Sequence, residues 1–193
     1  MAQSRGGRTR SEASRQAIFG ATRTLLAEQG YDGLTIERVA AHAGVGKQTI
    51  YRWWHSKSAL VAECIADGGP ALSLEVPVPD TGDLLADLES WLAIMARYAA
   101  EPQAAALLRG LISATAESPL VAERMYSQVT LGAELALSRR ISGGHEVSHR
   151  HRSATTAVLG AFIYSILINQ PMDADTVHDI AALIARGIDG TEE

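Results

Sequence analysis

The fold is decided by one stretch, TIERVAAHAGVGKQTIYR, which occupies residues 35–52. Apolar residues recur at helical spacing on both sides of Gly44, so the stretch predicts two short helices separated by a sharp turn. Thr35 suits the N-cap of the first helix, and Gly44 permits the backbone reversal that follows it. Ala40 is small where the two helices cross, and Ile50 fills the space beneath the second. The stretch therefore predicts a helix-turn-helix.

Helical periodicity continues on both sides of this motif. Upstream, an apolar stripe predicts a long helix that begins near Ser11 and ends near Gln29, with Gly30 as its left-handed stop. Downstream, Ser56 is placed to cap a fourth helix. The upstream stripe consists of Ala17, Ile18, Ala21, Thr22, Leu25 and Leu26.

The remaining two thirds of the chain also read as helix. Glycine and proline at residues 68–79 mark a linker, and no convincing alternation typical of a strand follows it. The predicted helices after the linker span residues 80–98, 103–114, 118–140, 149–169 and 173–188. Together with the first four, they predict an all-α fold of about nine helices.

The charge is divided unevenly along the chain. The 193 residues carry a formal net charge of -5. Residues 1–58 contain nine Lys or Arg and four Asp or Glu, giving +5, whereas the remainder contains eight and eighteen, giving -10. Such asymmetry hints at a nucleic-acid-facing segment attached to another domain. Charge alone does not decide this, but together with the helix-turn-helix it predicts a flexible basic arm over 1–10, a DNA-binding domain over 11–58 and a second domain over 59–193.

Several protein classes are disfavoured by composition. The single cysteine, Cys64, excludes an internal disulfide framework. The longest apolar candidate, residues 154–168, is interrupted by polar residues and is too short to span a membrane. The basic N-terminus lacks the apolar stretch of a signal peptide. We therefore expect a soluble, cytoplasmic protein without a membrane partner.

The second helix of the motif carries the side chains that suit nucleic-acid recognition. Its exposed positions combine cations, an amide, a hydroxyl and a phenol, which reach phosphates and base edges. A recognition helix in such a motif inserts its N-terminal residues into the major groove. The exposed residues are Lys47, Gln48, Thr49, Tyr51 and Arg52.

Residues 15–60 resemble the DNA-binding domain of the TetR family of transcriptional regulators. The match extends over about the first third of the chain without gaps, which makes it far more specific than a helix-turn-helix alone. The matching elements are Ala17-Ile18, Glu28-Gln29-Gly30-Tyr31, Leu34-Thr35-Ile36, Val39-Ala40, Ala43-Gly44-Val45, Thr49-Ile50-Tyr51 and Ser56-Lys57-Ser58-Ala59-Leu60.

This resemblance implies a role for each residue of the motif. Thr35 and Tyr51 would contact the DNA backbone, and Lys57 would be a further phosphate contact. Lys47 and Gln48 are the candidates for base contact, since an amide can read adenine through two hydrogen bonds and a lysine can reach guanine.

The other positions leave alternatives open. Thr49 would touch either a thymine methyl or a phosphate. Arg52 either reaches DNA or pairs with Glu37. Trp53 and Trp54 replace the more usual His-Phe or Tyr-Phe pair; we expect Trp54 to be buried and Trp53 to be exposed, where its indole N–H can donate to a phosphate.

Bulky side chains concentrate in residues 81–169, where they would form either a core or the lining of a pocket. In the TetR family the corresponding helices enclose a small-molecule site, which implies a largely apolar effector. The candidate ligand-binding residues are Trp91, Met95, Tyr98, Met125 and Tyr126.

The last two predicted helices carry more apolar surface than the end of a monomer normally shows. The family pairs these helices with those of a second subunit, which implies a homodimer and a palindromic operator. The candidate interface residues are Leu159, Phe162, Ile163, Ile166, Val177, Ile180, Leu183 and Ile184.

These observations predict a ligand-responsive repressor that binds double-stranded operator DNA. A helical enzyme or ligand carrier with an incidental helix-turn-helix, and a monomeric interaction module, are the alternatives. We find no convincing catalytic set and expect neither enzymatic activity nor a cofactor. The cluster of His145, His149 and His151 fits no zinc signature, so no metal site is expected.

Overall fold

The computed structural model describes residues 5–67 and 76–189 of the chain. Within those ranges it contains ten α-helices and no strand, which confirms the all-α prediction. The helices are α1 (Arg5–Gly33), α2 (Ile36–Ala43), α3 (Lys47–Trp53), α4 (Lys57–Ala66), α5 (Leu84–Ala100), α6 (Pro102–Glu117), α7 (Pro119–Met125), α8 (Leu131–Ile141), α9 (His149–Leu167) and α10 (Ala174–Asp189). None of these helices is long and apolar enough to cross a membrane.

The first helix begins earlier than its capping chemistry predicts. It starts at Arg5, so the prediction of a start near Ser11 is wrong. Residues 5–10 are helical, and residues 1–4 of the predicted basic arm lie outside the described residues. Gly30 has φ 69° and interrupts the helical backbone, which confirms the predicted stop at this glycine.

The ends of α2, α3 and α4 follow local sequence signals. Thr35 Oγ1 accepts a hydrogen bond from the Arg38 amide at 3.3 Å, and Ser56 Oγ accepts one from the Ala59 amide at 3.1 Å. Gly44 closes α2 with φ 65°, a left-handed conformation in which glycine avoids the cost of a Cβ. These three predictions of helix ends are confirmed.

A π-helical turn accounts for the tenth helix. The predicted helix over 118–140 is present, but Tyr126–Thr130 forms a π turn between α7 and α8. Such a turn places one extra residue in the helical backbone, so the side chains on either side no longer share one continuous face.

The chain divides into two compact units. The first comprises Met1–Gly69 and Ala106–Arg124, and the second comprises Pro70–Ala105 and Met125–Glu193. The first unit therefore includes α4 and a segment from the middle of the chain. Within this unit, a Cβ added to Gly110 would lie 3.0 Å from Leu26 Cδ2, so glycine permits the close approach of α6 to α1.

The core of the first unit lies beneath the helix-turn-helix. Phe19, Leu26 and Ile50 are fully buried. The Phe19 and Trp54 rings pack with their centroids 5.4 Å apart. Since Ile50 points into this core, the neighbouring positions of the short helix α3 are turned toward solvent.

The second unit is organised around large buried groups. Trp91 is fully buried, and its Nε1 donates to the Val76 carbonyl at 3.0 Å. The Arg140 guanidinium lies 2.6 Å from Oδ2 of Asp87, a carboxylate that is only 1% exposed. The Thr81 amide and hydroxyl also donate to this carboxylate, at 3.0 and 2.8 Å.

Candidate nucleic-acid interface

The short helix α3 presents a polar surface above the buried Ile50. Lys47, Gln48 and Arg52 are exposed, and Tyr51 is 49% exposed. Thr49 is half-buried. The helix therefore presents an ammonium, an amide, a phenol and a guanidinium on one accessible surface, and these groups can donate to phosphates and to base edges.

Lys47 is held by an acidic residue of the preceding helix. Its Nζ donates to Glu37 Oε1 at 3.1 Å, and both side chains are exposed. A backbone hydrogen bond and the Lys47 ammonium lower the pKa of Glu37. Glu37 is therefore ionised at neutral pH, and it forms an exposed ion pair with Lys47.

The structure does not pair Arg52 with Glu37, which was one of the two alternatives for this residue. Glu37 pairs with Lys47, whereas the Arg52 guanidinium lies over the Trp53 ring, 5.5 Å from its centroid. This stacking leaves the edge of the guanidinium available for a phosphate, because a cation–π contact occupies only its face.

Of the two adjacent tryptophans, Trp54 is buried as predicted, whereas Trp53 is less exposed than predicted. Trp54 is 2% exposed, and its Nε1 donates to Glu63 Oε2 at 2.9 Å. Trp53 is half-buried, because its ring packs edge-on against Trp54 with the centroids 5.4 Å apart. The expectation that Trp53 is exposed is therefore wrong.

Lys57 is also engaged in the free protein. Its Nζ donates to the Tyr31 carbonyl at 3.1 Å and lies 3.9 Å from the centroid of the Tyr31 ring. Tyr31 Oη in turn donates to Glu117 Oε2 at 2.6 Å. Burial and the Glu117 carboxylate raise the pKa of Tyr31, so the phenol remains a donor at physiological pH.

Sequence reasoning missed Tyr31 and Glu117 as neighbours of Lys57. The two residues are 86 positions apart, and no local pattern connects them. The remaining predicted backbone contact, Thr35, is exposed at the start of α2. Its oxygen accepts the capping hydrogen bond while its hydroxyl proton stays available to a phosphate.

The five candidate ligand-binding residues lie in different environments. Trp91, Met95 and Met125 are buried, Tyr98 is half-buried and Tyr126 is exposed. Tyr126 hydrogen-bonds to Glu134, which raises its pKa. None of the five lines the groove beside Glu89 and His178 or the cavity beside Arg139 and Gly143. Their role in ligand binding stays a prediction.

The candidate dimer residues also fall into two groups. Leu159, Phe162, Ile166 and Val177 are buried within the chain, where they join α9 and α10 to the core. Ile180 and Ile184 are half-buried. Ile163 and Leu183 are exposed, as are three apolar residues outside this candidate set: Tyr164, Leu167 and Ile168.

One histidine of the predicted cluster, His151, caps a helix. His151 Nδ1 accepts from the Ser148 amide at 3.1 Å, and Ser148 Oγ accepts from the His151 amide at 3.3 Å, which forms a capping box at the start of α9. Across residues 5–67 and 76–189, no group of three His, Cys, Asp or Glu side chains is arranged to hold a metal ion.

The free cysteine is buried among core residues. Burial raises the pKa of Cys64 to about 12, although the nearby Arg23 opposes the shift. The Cys64 thiol donates to the Phe19 carbonyl at 3.4 Å. Since the thiolate is the reactive form, this cysteine is inert packing.

A polar recognition helix on a buried three-helix core, followed by a larger helical region, defines a DNA-binding transcriptional regulator of the helix-turn-helix class. Residues 18–64 match the family model for bacterial regulatory proteins of the tetR family, and residues 78–184 match that for the tetracyclin repressor-like C-terminal domain. The chain belongs to the TetR family.

Similar proteins are known in several bacteria. The HTH-type transcriptional regulator YdeS of Bacillus subtilis (strain 168) is 28% identical over 98% of this chain and 96% of its own length. The HTH-type transcriptional repressor SCO4008 of Streptomyces coelicolor is 37% identical over 58% of each chain. The crystal structure of NalD, the secondary repressor of the MexAB-OprM multidrug efflux pump in Pseudomonas aeruginosa, has a TM-score of 0.63 and 21% identity over 93% of this chain and 97% of NalD.

Proposed function

We propose that this regulator is a repressor that binds a palindromic operator as a homodimer and releases it in response to a small molecule. The observation that carries the proposal is the exposed polar surface of α3 above the buried Ile50. We further propose that it acts in the cytoplasm, and that binding rather than catalysis is its activity. Selection from random duplexes tests the proposal, since a twofold dimer should enrich an inverted repeat; enrichment of single half-sites would contradict it.

Base reading is assigned to Lys47 and Gln48 at the start of α3. Replacing Gln48 with alanine should cost about 1–3 kcal/mol on the selected operator and relax selectivity at one base pair. Binding to random duplex should change little, because that binding depends on phosphate contacts. Equal losses on both DNAs would remove Gln48 from the base-reading set.

A test of Lys47 must include variants of Glu37, the residue with which it forms an ion pair. The pair with Glu37 opposes transfer of Lys47 to DNA. We therefore expect Glu37→Gln to tighten operator binding and Lys47→Ala to weaken it. If Glu37→Gln instead weakens binding, the contact serves to orient Lys47, and the competition that we propose is excluded.

We assign phosphate contacts to Thr35, Tyr51, Arg52, Trp53 and Lys57, and a contact with either a phosphate or a thymine methyl to Thr49. Replacing Lys57 with glutamine should weaken binding to every sequence alike and reduce the slope of log affinity against log salt by about one. Arg186→Gln on α10 provides a control that removes an exposed positive charge elsewhere in the chain. An unchanged slope would show that Lys57 stays on Tyr31 and does not contact DNA.

The homodimer is supported by exposed apolar side chains on the last two helices. Leu183 is 70% exposed on α10, and large exposed apolar residues at the end of α9 are Ile163, Tyr164 and Leu167, followed by Ile168 just after the helix. Burying such side chains stabilises an interface by about 25 cal/mol per Å² of apolar area. Leu159, Phe162, Ile166, Val177, Ile180 and Ile184 would then support this surface from within.

Sedimentation tests the interface directly. Leu183→Arg should produce a monomer that loses affinity for the full palindrome but binds a half-site normally. Leu120→Arg on α7 is the matched control, since Leu120 is 64% exposed and outside the proposed interface. A Leu183→Arg variant that remains dimeric would contradict the assignment of this surface.

The response to a small molecule requires differential affinity. A ligand shifts the equilibrium between DNA-competent and incompetent states only by as much as its affinities for them differ. A change from 1:99 to 99:1 requires about 5.5 kcal/mol of preference. Trp91, Met95, Tyr98, Met125 and Tyr126 remain our proposed lining of a largely apolar effector site.

A further inference from the structure

We propose that the groove between α5 and the start of α10 binds an apolar monocarboxylate, and that Arg97 binds its carboxylate. The binding itself is independent of the proposed repressor activity; a role for this ligand as an effector rests on that activity. The groove lies within the second compact unit, apart from the five candidate ligand-binding residues.

The groove has the size and lining of a small-molecule site. Its volume is about 510 Å³, within the range of roughly 300–1,000 Å³ that is usual for ligand pockets. Ala93, Ala96 and Ala100 form an apolar surface along α5, and Met172 and Val177 face it from the other wall. Small side chains on α5 leave this volume open, because each ends at its Cβ.

Four charged or titratable side chains line the groove, and three of them are engaged. Glu89 Oε1 lies 2.5 Å from His178 Nδ1, and Asp173 Oδ1 accepts the Thr176 amide at 2.8 Å as the cap of α10. Arg97 is exposed and has no hydrogen-bond or ion-pair partner among the residues that the structure describes. Asp173 keeps its negative charge, because a backbone hydrogen bond does not neutralise it, and Arg97 is the charged side chain of this lining that has no such partner in the described part of the chain.

The position of Arg97 defines the polarity of the ligand. A guanidinium binds a carboxylate through two parallel hydrogen bonds. Arg97 lies eight residues after Glu89 on α5, which corresponds to about 12 Å along a helix. A linear apolar body therefore fits between the two ends, with its acid group at Arg97 and its apolar end toward the Glu89–His178 pair.

The wall of the groove opposite α5 is preformed. Beyond α9, Asn169 adopts φ 55° and the Gln170 amide donates to the Ser165 carbonyl at 3.0 Å, which closes the helix. Pro171 and Met172 follow directly and line the groove. Because this turn is hydrogen-bonded, binding does not require ordering of the segment.

Calorimetric titration of the full chain with sodium octanoate, without DNA, tests the proposal. Saturable binding of one octanoate per chain is expected. Arg97→Gln should weaken it at least about tenfold, because a hydrogen bond to a charged group contributes about 1.5–3 kcal/mol. Arg139→Gln removes an exposed positive charge that does not line this groove, and it should leave the affinity within about twofold of the wild type.

Two further comparisons test the apolar surface and the charge preference. Ala93→Leu should abolish octanoate binding by filling the groove, whereas Ala157→Leu on the exposed surface of α9 should not. Octan-1-ol and octylammonium should bind more weakly than octanoate. Octylammonium binding more tightly would assign the groove to its carboxylates and overturn the proposal, as would unaltered octanoate binding by Arg97→Gln or Ala93→Leu.

Whether octanoate acts as an effector is tested separately, by measuring operator affinity with and without it. If octanoate binds and also changes operator affinity in the wild type but not in Arg97→Gln, the groove is an effector site. If it binds without changing operator affinity, its role as an effector is excluded while the site stands. Loss of operator binding in all samples would contradict the proposed repressor and leave the calorimetric result unaffected.

Discussion

The DNA-binding helices α2–α4 and the helices α5–α10 are stabilised by different means. In α2–α4, single residues determine the backbone: two hydroxyl caps and a left-handed glycine define where the helices begin and end. In α5–α10, large or charged side chains meet partners that are distant in sequence, such as Trp91 with Val76 and Asp87 with Arg140. The difference teaches that the first region is sensitive to backbone geometry and the second to the loss of side-chain volume or charge.

The largest effect should come from emptying the core of the second region. Trp91→Ala should reduce the free energy of unfolding by about 3–5 kcal/mol, because it leaves a cavity and an unpaired Val76 carbonyl. Urea denaturation measures this loss. Trp91→Phe, which retains a ring, should cost clearly less. Equal losses in the two variants would mean that the hydrogen bond, rather than the buried volume, stabilises this region.

The buried ion pair should have the next largest effect, and it should depend on pH. Burial opposes the charge on Asp87, but hydrogen bonds from Thr81 and Arg140 outweigh this and lower its pKa below the ordinary value. Its stabilisation is therefore complete above the unfolded pKa, about 3.9, and is lost as pH falls through the folded value. Asp87→Asn should cost about 3–5 kcal/mol at pH 7, since Arg140 is left without its buried counter-charge.

Urea denaturation at pH 7 and at pH 3 checks the sign of this effect. The difference in unfolding free energy between wild type and Asp87→Asn should narrow at pH 3, because the Asp87 carboxylate binds a proton more readily in the unfolded than in the folded protein. Asp179→Asn, at an exposed position of α10, is the control and should show no comparable gap. A gap that widens on acidification would contradict the lowered pKa of Asp87.

In the DNA-binding region, a substitution that strains the backbone should be enough to destabilise the protein. Gly44→Ala should destabilise the protein by about 1–2 kcal/mol, because a Cβ is strained at positive φ. Gly46→Ala is the matched control, since Gly46 has φ -73° and no atom would lie within 4 Å of the new Cβ. If both variants are equally stable in urea, the contrast between the two regions is lost.

The smallest expected effect concerns the contact between Tyr31 and Glu117. Tyr31→Phe removes the 2.6 Å hydrogen bond to Glu117 and should cost about 1 kcal/mol. A double-mutant cycle with Glu117→Gln should show that the two losses are not additive. Additive losses would mean that the residues act independently and that α6 is not joined to α1 through this bond.

The parts of the molecule that follow local chemistry were predictable. The helix-turn-helix, the caps at Thr35 and Ser56 and the left-handed Gly44 all follow from side chains within a few residues. The start of α1 was not predictable in this way, because Ser11 has the chemistry of a cap but lies inside a helix that begins at Arg5. The π turn at Tyr126–Thr130 likewise has no local signal in the sequence.

In the candidate nucleic-acid interface, too, only features that follow from local sequence were predictable. The identity of the exposed residues on α3 followed from the motif. Their partners did not: Lys47 rather than Arg52 pairs with Glu37, and Lys57 contacts Tyr31. Whether bulky residues form a core or a pocket was also beyond the sequence, because burial at Trp91 and exposure at Tyr126 depend on which helices pack together.

The sequence by itself therefore determined the class of fold, the position of the recognition helix and the family, because these depend on helical periodicity, capping and a motif of fixed spacing. Tertiary structure alone decided the Tyr31–Glu117 contact across 86 residues, the buried Asp87–Arg140 pair across 53, and the groove beside Arg97. The physical reason is that these features arise only when distant helices pack, and no local propensity records which side chains will then meet.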